Sequence, residues 1–207
     1  MDQQDENGAD EPRQTELNRV EAFSDGVIAI IVTIMVLELK VPHEANLHGL
    51  LTLQPIFLAY ALSFTYVAIY WVNHHRLFTH ARRVTNSLLW SNMALLFTLS
   101  LIPFATAFLG EHHFESFSTR LYLATLVLPA ITYTIMQGRI ELQAGHRKAC
   151  QGYLAATRRK GYVSTAIYVA SFALSFAHSQ IALAGAVIVA ILWIVPQTPL
   201  DRLFARK

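Results

Sequence analysis

Six apolar runs of near-bilayer length, at 23–41, 50–72, 88–109, 121–137, 162–177 and 181–195, dominate this chain. A backbone in hydrocarbon must satisfy its own polar groups, and without the alternating pattern of a barrel these runs can only be helices. Hydrophobic residues make up 54% of the sequence and charged residues 14%, which is too apolar for an ordinary soluble domain. The expected architecture is all-α: a polytopic membrane protein with six transmembrane helices. The last two runs are short, and the near-continuous turn "AHSQ" between them predicts a tight helical hairpin. Pro55, Pro103 and Pro129 lie inside or beside apolar runs, where kinks are expected.

The charges give the runs an orientation. With a cytosolic N-terminus, 14 of the 16 Lys and Arg residues fall on the cytosolic side, leaving Lys40 and Arg120 outside. An even number of spans then returns the C-terminus to the cytosol, in the cytoplasmic membrane. The acidic start "MDQQDENGADEPRQTE" lacks the basic and apolar pattern of a secretory signal. Residues 1–18 are therefore expected to be a disordered tail, 19–199 one membrane domain, and 200–207 a basic tail. The basic stretch 139–160 is expected as a polar, partly helical connection, and the single Cys150 within it as a free thiol.

The first run begins with a polar cluster, "RVEAFSDG", ahead of residues that offer water almost nothing. A capping role for Ser24 or Asp25 is one reading, with Arg19 following the positive-inside bias. Helical geometry offers another. At about 100° per residue Gly26, Ile30, Thr33 and Leu37 share one stripe, with Ile34 at its edge, and Asp25 projects away from it toward neighbouring helices. Elsewhere, "YWVNHHRLFTH" clusters His74, His75 and His80, but adjacent histidines diverge on a helix and no carboxylate or cysteine is near to complete a metal site. One of these histidines, with Asn73 or Asn92, is expected to bond Ser24 or Asp25 and tie the first three helices together. Trp71 and Trp90 suit an interfacial belt. No nucleophile with its base appears, so an enzyme is not expected, nor is a cofactor, a metal or a nucleic-acid partner.

Arg19, Phe23, Ser24 and Asp25 form an Arg-x-x-x-Phe-Ser-Asp motif. With "LEL" and "VP" after the first run, "YWVNHHRLF" and "LLWSNMALLFTLSLIPFATAFLGE", it resembles the transmembrane protein 175 family of potassium channels over roughly the first 110 residues. The resemblance implies a channel without a TVGYG-type carbonyl filter, and in single-repeat members a homotetramer whose pore is lined by the first helix. It also implies an apolar constriction, which carried onto this sequence is Ile30, Ile34 and Leu37, or in another register a hydroxyl ring at Thr33. The two differ by a modest helix rotation, and the sequence leaves both open. Arg19, Phe23, Ser24 and Asp25, with His74, His75 and Asn92, are then a hydrogen-bonding group holding that helix. Potassium is the expected permeant ion; proton permeation and a small secondary transporter are the alternatives.

Overall fold

The computed structural model describes residues 3–144 and 148–194, and the regular structure within them is helical throughout. The elements are α1 (Gln3–Leu37), α2 (Leu47–Thr52), α3 (Gln54–Phe78), α4 (Asn86–Leu99), α5 (Ile102–Glu111), α6 (Ser116–Ala144), α7 (Lys148–Leu174) and α8 (Ser179–Ile194). Four segments are long and apolar enough to cross a membrane: Arg13–Leu37, Gln54–Phe78, Asn86–Glu111 and Ser116–Gln143. The other two expected spans correspond to the apolar second half of α7 and to α8, a shorter apolar helix of 16 residues. Residues 175–178 join them as the expected tight turn.

Local chemistry sets the boundaries. Asn46 caps α2 by accepting the Gly49 amide at 2.7 Å, and Thr85 caps α4 by accepting the Leu88 amide at 3.2 Å. The three prolines act differently. Pro55 sits in the first turn of α3, where its missing amide proton is no loss, so the second span starts afresh at Gln54 instead of running unbroken from residue 50. Pro103 stands in the first turn of α5, and the third span breaks just before it, at Ser100–Leu101. Pro129 leaves α6 uninterrupted.

The N-terminal segment departs from the expected tail. Helix α1 continues back through it, because residues 13–22 are good helix formers with nothing to stop them. Leu17 is buried there and Gln14 bonds Asn18 one turn on, at 2.9 Å. The connection 139–160 is helical on both sides of 145–147, which lie outside the described residues, as do the expected tail 200–207 and the side chain of Cys150.

α6 lies at the centre, against α4, α5, α7 and α8, while α1 packs on α3, α4 and α5. Tyr66, Tyr122, Leu95, Leu99, Leu123 and Met136 are fully buried between them. Polar contacts fix the register. Thr106 donates to Ser63 at 2.7 Å and Ser63 shares a 2.8 Å bond with Tyr122, joining α5, α3 and α6; the Tyr66 hydroxyl donates to the Ala186 carbonyl of α8. Such bonds between membrane helices contribute on the order of 1 kcal/mol each. At one end Lys40 pairs with Glu111 at 2.6 Å, and the carboxylate holds the ammonium above its usual pKa. At the other, Gln143 accepts the Arg82 and Arg83 amides and Glu141 pairs with Arg158 at 2.8 Å.

Helices α3 and α5 approach closely at Gly110, where an added Cβ would lie 2.7 Å from the Ile56 Cα. A backbone atom cannot swing aside. Gly110→Ala is expected to destabilise the bundle by about 1–3 kcal/mol, the usual cost of overpacking, read as a lowered melting temperature in detergent. An unchanged melt would mean that the two helices slide apart freely.

Candidate functional site

Helix α1 has two faces. Leu17, Ser24, Ile28, Ile31 and Met35 form a buried line against the bundle. On the opposite side Arg19, Ala22, Phe23, Gly26, Ile30, Thr33 and Leu37 are exposed along about five turns. Only 22% of this span's most apolar window is buried, against 56% for the third span. Leu37 is 79% exposed, Ile30 59% and Ile34 43%. The helical wheel explains the order. Thr33 and Gly26 lie diametrically across from the buried line, Leu37 and then Ile30 follow on one side of them, and Ile34 lies further round on that side, about 100° from Thr33. Ile34 instead borders a groove against Phe104 and Phe108 of α5, with Val27 and Ile30. The Thr33 hydroxyl donates to the Ile30 carbonyl at 2.9 Å, so its proton is committed and its lone pairs are free to face outward.

Behind this face runs a directional hydrogen-bond chain. Ser24 Oγ donates to the Val20 carbonyl and accepts from Asn92 Nδ2, each at 2.9 Å. Because the Asn92 amide nitrogen is the donor there, its Oδ1 accepts from His74, which must carry its proton on Nε2; that contact is also 2.9 Å. Ser24, His74 and Asn92 are all fully buried, and the His74 ring stacks on Phe78 at 4.4 Å. His74 Nδ1 is a buried polar atom with no partner among the described residues. The chain thus pins α1 to α3 and α4 at one depth.

Two more contacts bind α1 to α3. The Trp71 indole donates to Asp25 Oδ1 at 2.9 Å, and His75 Nδ1 lies 2.6 Å from Glu21 Oε1. Of the two asparagines considered, Asn92 reaches Ser24; Asn73 donates to the Ile69 carbonyl within its own helix. Arg19 and Phe23 are not drawn into this group and lie on the exposed face. Trp71 and Glu21 were missed from the sequence. Both had a signal: Trp71 is one turn before His75, and Glu21 one turn before Asp25, on the faces that meet.

The signature residues and their partners fall within the segment that matches the family model described as the endosomal/lysosomal potassium channel TMEM175, residues 19–103. A potassium channel of Chryseobacterium sp. (strain P1-3) is 43% identical over 184 residues, 89% of this chain and 95% of its own. This chain belongs to the TMEM175 family. Among solved structures, a Chamaesiphon minutus homolog of the lysosomal potassium-selective channel TMEM175 superposes with a TM-score of 0.77. It is 30% identical, over 87% of this chain and 97% of its own. The endosomal/lysosomal proton channel TMEM175 of Bos taurus is 38% identical over 134 residues, which is 55% of this chain and 27% of the larger protein. The family model covers α1 from Arg19 onward, α2, α3, α4 and the first two residues of α5, so the TMEM175 signature and the buried chain it anchors fall within one matched segment.

Proposed function

We propose that four copies of this chain assemble around their first helices as a leak-like, potassium-permeable cation channel of the cytoplasmic membrane. The observation that carries this reading is the unpartnered face of α1 from Arg19 to Leu37. At 1.5 Å per residue that face is about 27 Å long, close to the hydrocarbon thickness of a bilayer. One chain supplies one such face, and closed rotational symmetry brings several of them to a common axis. The homologues named as potassium channels support the choice of ion.

In this reading the chain crosses the membrane six times, with both termini in the cytosol and the Arg76, Arg82, Arg83 and Arg158 end facing inward. Four Ile30 and four Leu37 side chains form an apolar constriction that admits a wet column when open and excludes water when closed. An apolar ring returns none of the hydration energy that an ion sheds, so it favours potassium, the less strongly hydrated ion, over sodium. The Thr33 hydroxyls between these rings offset part of the dehydration. Asp25, held by Trp71, and Ser24, held by Asn92, keep the helix from turning this face away from the common axis and into its own bundle. Proton permeation through the same pore is the second reading, favoured by the animal relatives that are named proton channels.

The test is planar-bilayer recording of purified protein under opposed potassium and sodium gradients. The expected reversal potential lies toward the potassium equilibrium potential. Electrical silence in every gradient from intact tetramers overturns the proposal.

A further inference from the structure

The third membrane-length segment is broken near its middle. Helix α4 ends at Leu99, α5 begins at Ile102, and Ser100 stands just past the midpoint of the 26 residues Asn86–Glu111. A break interrupts the backbone ladder, and in hydrocarbon every freed group needs another partner. The last carbonyls of α4 can be followed one by one. Leu96 accepts the Ser100 amide at 2.9 Å, Phe97 the Ser100 hydroxyl at 2.7 Å, and Thr98 the Leu101 amide at 3.4 Å. The carbonyls of Leu99 and Ser100 come next and take no partner among the described residues, because Pro103 has no amide proton to give and the Phe104 amide does not reach back. Across the break, the Ile102 and Phe104 amides are first-turn donors with no acceptor among the described residues. Two acceptors and two donors are left over at mid-membrane.

Ser100 and Phe104 both line the groove between α1 and α5, a space of about 540 Å³ whose opposite wall carries Ile30 and Ile34. From Ser100 the groove follows α5 to Glu111, about 16 Å of helix and so about half of a 30 Å hydrocarbon core. Glu38 and Glu111 line that far end, where Lys40 pairs with Glu111. The groove thus runs from a charged mouth to backbone groups that need partners.

We propose that this groove is a water-filled vestibule, with water bound at the Ser100 carbonyl and the Phe104 amide. The mixture of open groups selects the occupant. A lipid chain has neither donor nor acceptor, a bare cation serves the carbonyls and not the amides, and a second copy presents mainly apolar side chains at membrane depth, such as Phe57, Phe64 and Ile135. Water gives and accepts at once, and a roomy site with two or more polar partners holds it. In the tetrameric reading this puts water beside the apolar ring at mid-membrane as well as beyond its ends. The inference rests on the membrane-spanning reading and not on ion flux: a hydrated Ser100 in an electrically silent protein keeps the vestibule and removes the channel.

The experiment is thiol labelling of the full-length protein in proteoliposomes, loaded and bathed with a membrane-impermeant methanethiosulfonate. A Cys150→Ser background removes the one native cysteine of the chain. The thiolate is the reacting species, and a thiol in apolar surroundings resists ionising. Ser100→Cys is therefore expected to label at least about tenfold faster than Phe97→Cys, which is exposed at nearly the same depth but outside the groove. Phe104→Cys, inside the groove, is expected to follow Ser100→Cys, and it decides the question should Ser100→Cys misfold. Equally slow labelling at all three positions marks lipid as the occupant. Labelling of Ser100→Cys only after the oligomer is dissociated in detergent marks a second copy. Either result overturns the proposal.

Discussion

Asn92→Leu is expected to destabilise the protein by about 3–5 kcal/mol, while His74→Phe combined with Asn92→Leu recovers the stranded-donor part of that loss, about 1–3 kcal/mol. Asn92 is fully buried and bridges Ser24 of α1 to His74 of α3. Leucine in its place removes two interhelical bonds, each worth on the order of 1 kcal/mol between membrane helices. It also strands the His74 Nε2 proton with no acceptor, and an unsatisfied buried donor costs about 1–3 kcal/mol more. Phenylalanine at 74 removes that stranded donor and retains the stacking on Phe78. Thermal unfolding of the two single variants and the double variant in detergent measures the cycle. Additive losses would show that the two side chains act separately and that the buried chain is not a unit. A loss near zero for Asn92→Leu alone would mean that water enters to replace it.

How legible all this was depends on what each residue could reveal without its neighbours. Apolar length gave away the helical class and the first four membrane-length segments, because a run such as 121–137 has no soluble alternative. It could not reveal where α1 starts. Residues 13–22 are polar and helical at once, and hydropathy reads only the first property. Proline was ambiguous for a related reason: Pro55 and Pro103 stand in first turns, where nothing is lost, whereas Pro129 lies mid-helix and depends on tertiary support. The link from Ser24 to a histidine and an asparagine was visible because polar side chains at membrane depth need partners, and few were available. Trp71 suits an interfacial belt from its sequence alone, a role that its amphipathic ring fills equally well without a specific acceptor. The exposed stripe itself followed from the wheel, but a stripe of Gly26, Ile30, Thr33 and Leu37 tolerates a rotation of some tens of degrees. Only the packing of Ser24, Ile28, Ile31 and Met35 into the bundle fixes the opposite direction at Thr33.

Under the proposed tetrameric pore, that direction separates the two registers by function. Leu37→Asn and Ile30→Asn are expected to raise potassium current about tenfold, equivalent to lowering the barrier by about 1.4 kcal/mol, because an amide in a fourfold apolar ring stabilises the water column that the isobutyl or sec-butyl groups expel. Ile34→Asn is expected to change current least of the three. Its side chain is rotated about 100° from Thr33, further than Ile30 or Leu37, and is less exposed than either. Thr33→Ala acts on a different quantity. Its hydroxyl proton is held by the Ile30 carbonyl, so the oxygen can only offer lone pairs, and lone pairs matter to a partly dehydrated cation. The potassium-to-sodium permeability ratio is expected to fall about two- to tenfold, the equivalent of about 0.5–1.5 kcal/mol, with little change in thermal stability because the residue is exposed and its one bond is internal to its own turn. Bi-ionic reversal potentials and unitary currents read both effects from the same patches. Should Ile34→Asn prove the strongest of the apolar substitutions and Thr33→Ala leave the reversal potential untouched, assembly must turn each first helix by roughly a quarter turn, and the Trp71–Asp25 and Asn92–Ser24 bonds that fix its present orientation would have to break to allow it.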